Sequence, residues 1–161
     1  MEIRRSTTSD TDIILNIYAQ ARDFMASNGN ANQWGNNYPE TSLVEQDMKD
    51  RNSYVCVDNG EIVGVFFYTE EIDSTYIHIY EGEWLNNKPY GVVHRVASIN
   101  GKRGVATFCL NWCFEKCKNL KIDTHRDNVP MQNLLSKNGF VSCGVIYLDN
   151  GAERIAFQKS N

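Results

Sequence analysis

The sequence has no long apolar run and no cluster of basic residues. It has 161 residues, with 16 Lys and Arg against 20 Asp and Glu, and a formal net charge of -4 at pH 7. A sequence-independent nucleic-acid binder needs clustered Lys and Arg, so the composition argues against that class. No window approaches the roughly 18 apolar residues of a membrane span, and MEIRRSTTSD lacks the apolar segment of a signal peptide. We therefore expect a cytoplasmic protein that binds neither nucleic acid nor membrane.

Paired cysteines and metal-binding spacings are also lacking. The five cysteines are an odd number without a secretory signal, which favours reduced thiols over a disulfide framework. Cys109, Cys113 and Cys117 recur every four residues, but zinc knuckles use C-x-x-C and ligands from other segments. We expect these thiols to be buried against a sheet, and we expect no metal.

What the sequence does contain is the pattern of one globular domain, residues 1–161, with 42% hydrophobic and 22% charged residues. Helical spacing predicts helices after Asp10, from about 42 to 51, from 102 to about 118, and after Asp127. β-branched and alternating segments predict strands between and after these helices. The expected strands are 2–7, 53–58, 61–70, 74–82, 90–98, 119–125, 141–148 and 152–159.

The central segment is VVHRVASINGKRGVA, residues 92–106, in which a strand leads through two glycines into a helix. The first turn of a helix leaves backbone N–H groups free and carries the positive end of the helix dipole, so it binds anions. Gly101 and Gly104 lack a Cβ and would let a phosphate approach the backbone. Taken alone, the two residues are equally well explained as loop glycines.

Several motifs together resemble those of the GCN5-related N-acetyltransferase (GNAT) superfamily over nearly the whole chain. Gly104-Val105-Ala106 matches the second half of its phosphate turn, although Gly101 stands where the family has Arg or Gln. DTHRDNVPMQNLLSKNGF is similar to its strand, asparagine, helix and Gly-Phe ending. Some bacterial members also share QW, YP, HRVA, DTH and DN, which this chain has at Gln33-Trp34, Tyr38-Pro39, His94–Ala97, Asp123–His125 and Asp127-Asn128.

The resemblance implies an α/β fold with a mixed, mostly antiparallel twisted sheet. About seven strands, with the central ones splayed apart, would be flanked by about four helices. It also implies acetyl-CoA as acyl donor. The backbone of Arg95, Val96 and Ala97 would bind the pantetheine arm, and the N–H groups of Val105 and Ala106 would bind the pyrophosphate.

Charge and backbone near the turn complete the implied cofactor site. Lys102 and Arg103 would add positive charge beside Gly104. Asn128 would contact the pantetheine arm. Asn128 is equally reasonable as a helix N-cap, which uses the side-chain oxygen and leaves the amide free.

The resemblance also suggests candidates for proton transfer. An amine must be neutral to attack a thioester, so a base must accept its proton. His94 is the first candidate, because it lies on the cofactor strand and an imidazole titrates near neutral pH; the alternative is a histidine that is hydrogen-bonded within the sheet. Glu81 is a second candidate base. Asp123 and His125 lie two residues apart on one strand face and could orient each other or a substrate.

Many relatives have a tyrosine four residues before the Gly-Phe pair, and its hydroxyl protonates the departing thiolate. This chain has Leu135 at that position. Water or Tyr147 would then protonate the thiolate, or the thiolate would leave without an acid. Trp34 and Trp84 are candidate walls of an acceptor pocket, although large aromatics also close core edges.

Two functions follow. The first is an N-acetyltransferase that acts on a small-molecule or peptide amine by direct attack in a ternary complex. The second is a catalytically weak acyl-CoA-binding or sensing module. A homodimer is a further expectation, since relatives often pair through their last strands.

Overall fold

The computed structural model describes residues 1–161, which form a seven-stranded sheet with helices on both faces. The strands are β1 (Glu2–Arg5), β2 (Ser53–Asp58), β3 (Glu61–Thr69), β4 (Gly91–Ser98), β5 (Asn119–Thr124), β6 (Val141–Tyr147) and β7 (Glu153–Ser160). The helices are α1 (Thr11–Ser27), α2 (Thr41–Lys49), α3 (Val105–Cys117) and α4 (Val129–Lys137). This arrangement confirms the predicted fold class.

The sheet has the order β1-β2-β3-β4-β5-β7-β6, and every neighbouring pair is antiparallel except β4 and β5. Those two parallel strands pair only at their beginnings, where Gly91 faces Leu120 and Val92 faces Lys121. Beyond that point they separate. The backbone edge of β4 that faces β5 therefore lacks a strand partner from Val93 onward, and the predicted splay is confirmed.

A β-bulge bends β4 where it leaves β5. Phe67 pairs with His94 and Val65 with Ala97, so β4 has one residue more than β3 over this stretch. Arg95 absorbs the extra residue with a φ of 52°. A bulge increases the local twist and redirects side chains, and such bulges are frequent beside functional sites.

Two apolar cores hold the sheet between its helices. Val93 and Val96 of β4 point toward α3 and α4, where they join the larger core. Ala97 points to the other face and packs with Ile14 and Ile17 of α1. The two faces of one strand thus anchor different helices, which holds the splayed end of β4 in place.

Two predictions of secondary structure from the sequence were wrong. Residues 74–82 do not form a strand: Ser74–Tyr76 is a short 3-10 helix, and only Tyr80 makes a β-bridge, to Val145. The Asp73 side chain accepts hydrogen bonds from the N–H and the hydroxyl of Thr75. These bonds stabilise a turn, which forms in place of the strand that the alternating pattern of residues 74–82 predicted. Helix α3 begins at Val105 rather than at 102, because Gly104 has a φ of 82° that a right-handed helix does not allow.

The predicted burial of the helical cysteines is confirmed for Cys109 and Cys113, which are fully buried in the larger core. Cys117 is partly exposed. No group of three or more His, Cys, Asp or Glu residues is arranged to hold a metal ion. None of the helices combines the length and the apolar character that crossing a bilayer requires.

Candidate functional site

Two cavities open where β4 and β5 separate. The first, called here the polar cleft, measures about 580 Å³ and has charged walls that include Asp73, His94, Asp123 and Arg154. The second, called here the turn groove, measures about 340 Å³ and follows β4 from Val96 through Gly101 and Lys102 to Ala106. The two share four lining residues, which are Met25, Val96, Asn128 and Met131. The turn groove therefore leads into the polar cleft.

The N-terminus of α3 borders the turn groove. Gly104 precedes the helix and has no side chain to cap it. The first hydrogen bond along the helix runs from the Phe108 N–H to the Gly104 carbonyl, 3.0 Å. Consequently the N–H groups of Val105, Ala106 and Thr107 have no acceptor within the helix, and the helix dipole adds positive potential there. These donors fit a phosphate group.

The glycines of the turn are required by their backbone conformation. A Cβ placed on Gly101 or Gly104 would meet no atom within 4 Å, so neither glycine is needed to make room inside the protein. Their φ angles of 79° and 82° are what require glycine. The turn is thus defined by backbone conformation, and the space over it is open.

The two basic residues of the turn are not equivalent. Lys102 lines the groove and forms an ion pair with Asp58, so part of its charge is already balanced. Arg103 is exposed and has no carboxylate partner among the ion pairs of the molecule. Most of the anion-binding capacity at this turn therefore comes from backbone N–H groups.

Asn128 stands at the junction of the two cavities and caps α4. Its Oδ1 accepts the Met131 N–H at 3.1 Å, as the N-cap interpretation predicted. One of its two amide N–H groups is also used, because Nδ2 donates to Gln33 Oε1 at 3.0 Å. Asn128 thereby links the loop that carries Gln33 to the start of α4.

His94 lies between two carboxylates on the floor of the polar cleft. Its Nε2 is 2.8 Å from Asp73 Oδ2, and its Nδ1 is 3.8 Å from Asp123 Oδ2. The Tyr76 hydroxyl donates to the same Asp123 oxygen at 2.6 Å. Thr75 donates twice to Asp73. Both carboxylates are therefore oriented by neighbours, and they hold the imidazole from two sides.

Asp73 is ionised at neutral pH. Burial raises the pKa of its carboxyl, but the hydrogen bonds from His94 and Thr75 and the attraction of His94 outweigh that effect and bring the pKa to about 2. An ionised Asp73 accepts a hydrogen bond from Nε2–H and so favours the imidazole tautomer whose Nδ1 carries the free lone pair. That lone pair lies on the Asp123 side.

Two arginines line the polar cleft, and they differ in their partners. Arg95 donates to Asp47 Oδ2 at 2.6 Å and lies over the Phe67 ring at 4.8 Å. Arg154, on β7, donates to two main-chain oxygens, that of Glu153 at 2.9 Å and that of Gln33 at 3.3 Å. The guanidinium of Arg154 is paired with no carboxylate, although the residue is only 8% exposed.

Comparison with solved structures identifies the family. An acetyltransferase of the GNAT family from Streptococcus agalactiae 2603 superposes with a TM-score of 0.90 and 30% sequence identity, over 99% of this chain and 95% of that chain. The chain belongs to the GNAT family of acetyltransferases. No family model matches the sequence. A search of curated proteins likewise gives no match.

More distant structures share the fold of this GNAT chain. The ribosomal-protein-alanine N-acetyltransferase from Brucella melitensis has a TM-score of 0.67 at 18% identity, with 100% of both chains covered. A chain of the NatC complex bound to Gag peptide and CoA has a TM-score of 0.64 at 14% identity, over 100% of this chain and 99% of that one.

Several site residues predicted from the sequence line the cavities of the GNAT chain. His94, Arg95, Asp123 and Trp34 line the polar cleft, and Trp34 packs edge-on against Tyr18 and Tyr38. Ala97, Lys102 and Ala106 line the turn groove, while Val96 and Asn128 line both. The side chain of Val105 is buried in the larger core, so only its backbone is near the groove.

Arg103 and Gly104 belong to the turn but line neither cavity, and three further predicted residues lie elsewhere. Glu81 is exposed beside the Tyr80 bridge, with a φ of 55°. Trp84 donates its indole N–H to the Tyr76 carbonyl at 2.9 Å, and its ring contacts Lys121. His125 accepts the N–H of Asp127 on Nδ1 at 3.0 Å. Strand β5 ends at Thr124, so the alternation that grouped His125 with Asp123 does not continue that far.

Two cleft residues were missed by sequence reasoning. Asp73 lies in DST, a turn-forming sequence next to a segment that was predicted as a strand. Arg154 lies in the last strand, where it alternates with Ala156 and Gln158. That alternation predicts that the three side chains share one face of β7. Only the pairing of Ala156 with Asp123 shows that this face is the floor of the polar cleft.

Proposed function

We propose that this GNAT chain is an acetyl-CoA-dependent N-acetyltransferase that moves an acetyl group to a primary amine of a small molecule or peptide. The observation that carries the proposal is the continuity of the two cavities at Met25, Val96, Asn128 and Met131. A donor in the turn groove and an acceptor in the polar cleft would meet there. Direct attack in a ternary complex follows from that arrangement.

The turn groove suits coenzyme A. The N–H groups of Val105, Ala106 and Thr107 would hold the pyrophosphate, and the partnerless edge of β4 would bind the pantetheine amides as a strand does. The NatC chain of the same fold comes from a complex bound to CoA, which supports the assignment. Acetyl-CoA, when bound, supplies the acetyl thioester.

His94 is the proposed general base. Asp73 holds the imidazole through Nε2, which leaves Nδ1 to accept the proton of the attacking amine. Asp123, 3.8 Å from Nδ1, would attract the amine while it is still cationic. This arrangement of a base oriented by a half-buried carboxylate resembles other proton-transfer sites, and the three groups come from separate segments of the chain.

No cysteine is placed to carry a covalent acetyl intermediate. None of the five cysteines lines either cavity, and four of them are buried. Direct transfer needs no such carrier. The departing thiolate would be protonated by water, because Leu135 is fully buried in the larger core and Tyr147 packs on Tyr80.

A weak acyl-CoA-binding or sensing module is the second candidate function. One observation favours it: no tyrosine lines the turn groove, so the groove itself offers no phenol to protonate the departing sulfur. The two candidates share the donor site. They differ in whether the polar cleft turns over an acceptor.

Calorimetry with acetyl-CoA, followed by a thiol-release screen over amines, polyamines, aminoglycosides and peptides, separates the two. Binding with turnover on at least one amine supports the transferase. Binding without turnover on any acceptor favours the binding module. Absence of binding by coenzyme A would contradict both.

A further inference from the structure

Arg154 is a buried cation that forms no ion pair with a carboxylate. It is 8% exposed, and none of the molecule's ion pairs includes it. The nearby Arg126 shows the contrast, since it is exposed and pairs with Glu153 at 3.1 Å. Removing a guanidinium from water without a carboxylate is costly, so its position requires another explanation.

The other buried cations of the chain are compensated within the protein. Arg95 pairs with Asp47 at 2.6 Å. Lys121 lies 3.9 Å from the ring centroids of both Trp84 and Tyr90, where two aromatic faces stabilise the ammonium. Arg154 has only two main-chain oxygens as acceptors, at 2.9 and 3.3 Å. A guanidinium has five N–H donors, so capacity remains for a ligand.

Arg154 faces the same cavity as the proposed base. Asp123 pairs with Ala156 across β5 and β7, and residues two apart on a strand share a face, so Arg154 and Asp123 are diagonal neighbours. Their charged groups are nevertheless more than 4 Å apart, since they form no ion pair. Negative charge from Asp73 and Asp123 therefore occupies one side of the polar cleft, and a positive charge without a carboxylate occupies the other.

We propose that the acceptor is an amine that also carries a carboxylate, as a free amino acid does, with its carboxylate bound by Arg154 and its ammonium directed to Asp123 and His94. The planar guanidinium matches a carboxylate with two parallel hydrogen bonds. The proposal rests on the proposed transferase function. It adds the chemical class of the acceptor.

The test compares the twenty common amino acids with their α-carboxamides, which keep the amine and the side chain but lose the negative charge. For the best pair, the wild-type protein gives a kcat/KM at least about tenfold higher for the acid. Arg154→Gln lowers kcat/KM for the acid by about 10- to 100-fold and leaves the amide within about threefold. Arg126→Gln is the matched control, and it keeps the wild-type preference.

Equal kcat/KM for acids and amides in the wild-type protein would overturn the proposal, and so would an equal loss on both in Arg154→Gln. Unchanged calorimetric affinity for acetyl-CoA shows that the variant is folded, and Arg154→Lys provides a second variant that retains a charge. If no amine is acetylated, calorimetry of the same acids and amides with the CoA-loaded protein decides. Acid-selective binding lost in Arg154→Gln then upholds the carboxylate site while the transferase proposal fails, and no selective binding contradicts the site as well.

Discussion

The turn groove and the polar cleft are built from different parts of the chain's chemistry. The groove relies on backbone: the free N–H groups at the start of α3 and the edge of β4 that β5 leaves bare. The cleft relies on side chains, with two carboxylates, an imidazole and two arginines brought together from four segments. Backbone recognition tolerates many side chains, so the proposed donor site places few demands on the sequence around it. Side-chain recognition can change with each acceptor.

The largest expected effect comes from a substitution that removes the proposed base from the polar cleft and leaves the turn groove unchanged. In His94→Gln the base is lost, so we expect acetyl transfer to fall by about 10²- to 10⁴-fold while the affinity for acetyl-CoA is unchanged. Thiol release and calorimetry measure the two quantities. His78→Gln is the control, because His78 is exposed and lies outside both cavities. A variant with wild-type rate would remove His94 from the proposed role.

A smaller effect is expected when the support of the base is removed. Asp73→Asn still contacts His94 but no longer accepts Nε2–H as a carboxylate does, so we expect the transfer rate to fall by roughly 10- to 100-fold. Loss of acetyl-CoA affinity to the same extent would show that Asp73 serves the groove instead. The same thiol-release assay measures the change.

Asp73 also makes a pH-dependent contribution to stability. Its pKa in the folded protein, about 2, lies below the ordinary 3.8, so the contribution is complete above about pH 4 and is lost as the pH falls toward 2. After allowance for solvent screening we expect about 1–2 kcal/mol. Urea unfolding between pH 5 and pH 2 should show a shallower decline in Asp73→Asn than in the wild-type protein. Parallel declines would contradict the assignment.

Asn128 tests the wall that the two cavities share. Asn128→Ala loses both the cap of α4 and the bond to Gln33, and we expect a loss of about 1–2 kcal/mol in the free energy of unfolding. Asn128→Asp keeps the capping oxygen and should lose less. Urea titration of the two variants measures the difference. If both lost the same amount, the cap would not contribute.

The smallest effect concerns charge at the groove. Arg103→Glu should weaken acetyl-CoA binding only about three- to fivefold, and less at high salt, because Arg103 is exposed while the N–H donors remain. Lys88→Glu, an equal charge change on an exposed loop residue, is the control. A loss above about 100-fold would mean that side-chain charge, and not the backbone, holds the phosphates.

The same division explains what the sequence predicted. The groove depends on contiguous residues, and so the glycines and the strand before them indicated the turn, while the resemblance to the GNAT superfamily implied the splay. The polar cleft depends on the pairing register of β5 with β7 and on the turn that follows Asp73. Asp73 was missed because its capping of Thr75 converts a predicted strand into a 3-10 helix, and Arg154 because its neighbour Asp123 is known only from the pairing of β5 with β7. Leu135 stands where the resemblance implied a tyrosine, and its burial shows that this position does not line the turn groove.

The most direct test of the account is a titration of ¹⁵N-labelled protein with coenzyme A, followed through backbone amide resonances. We predict saturable shifts in two stretches, Val96 to Ser98 and Gly101 to Thr107, with little change at Thr75 and Arg154. This result would place the donor on the backbone of the turn groove and leave the polar cleft free for an acceptor. Shifts centred on Asp73, His94 and Arg154, with none at the start of α3, would contradict it.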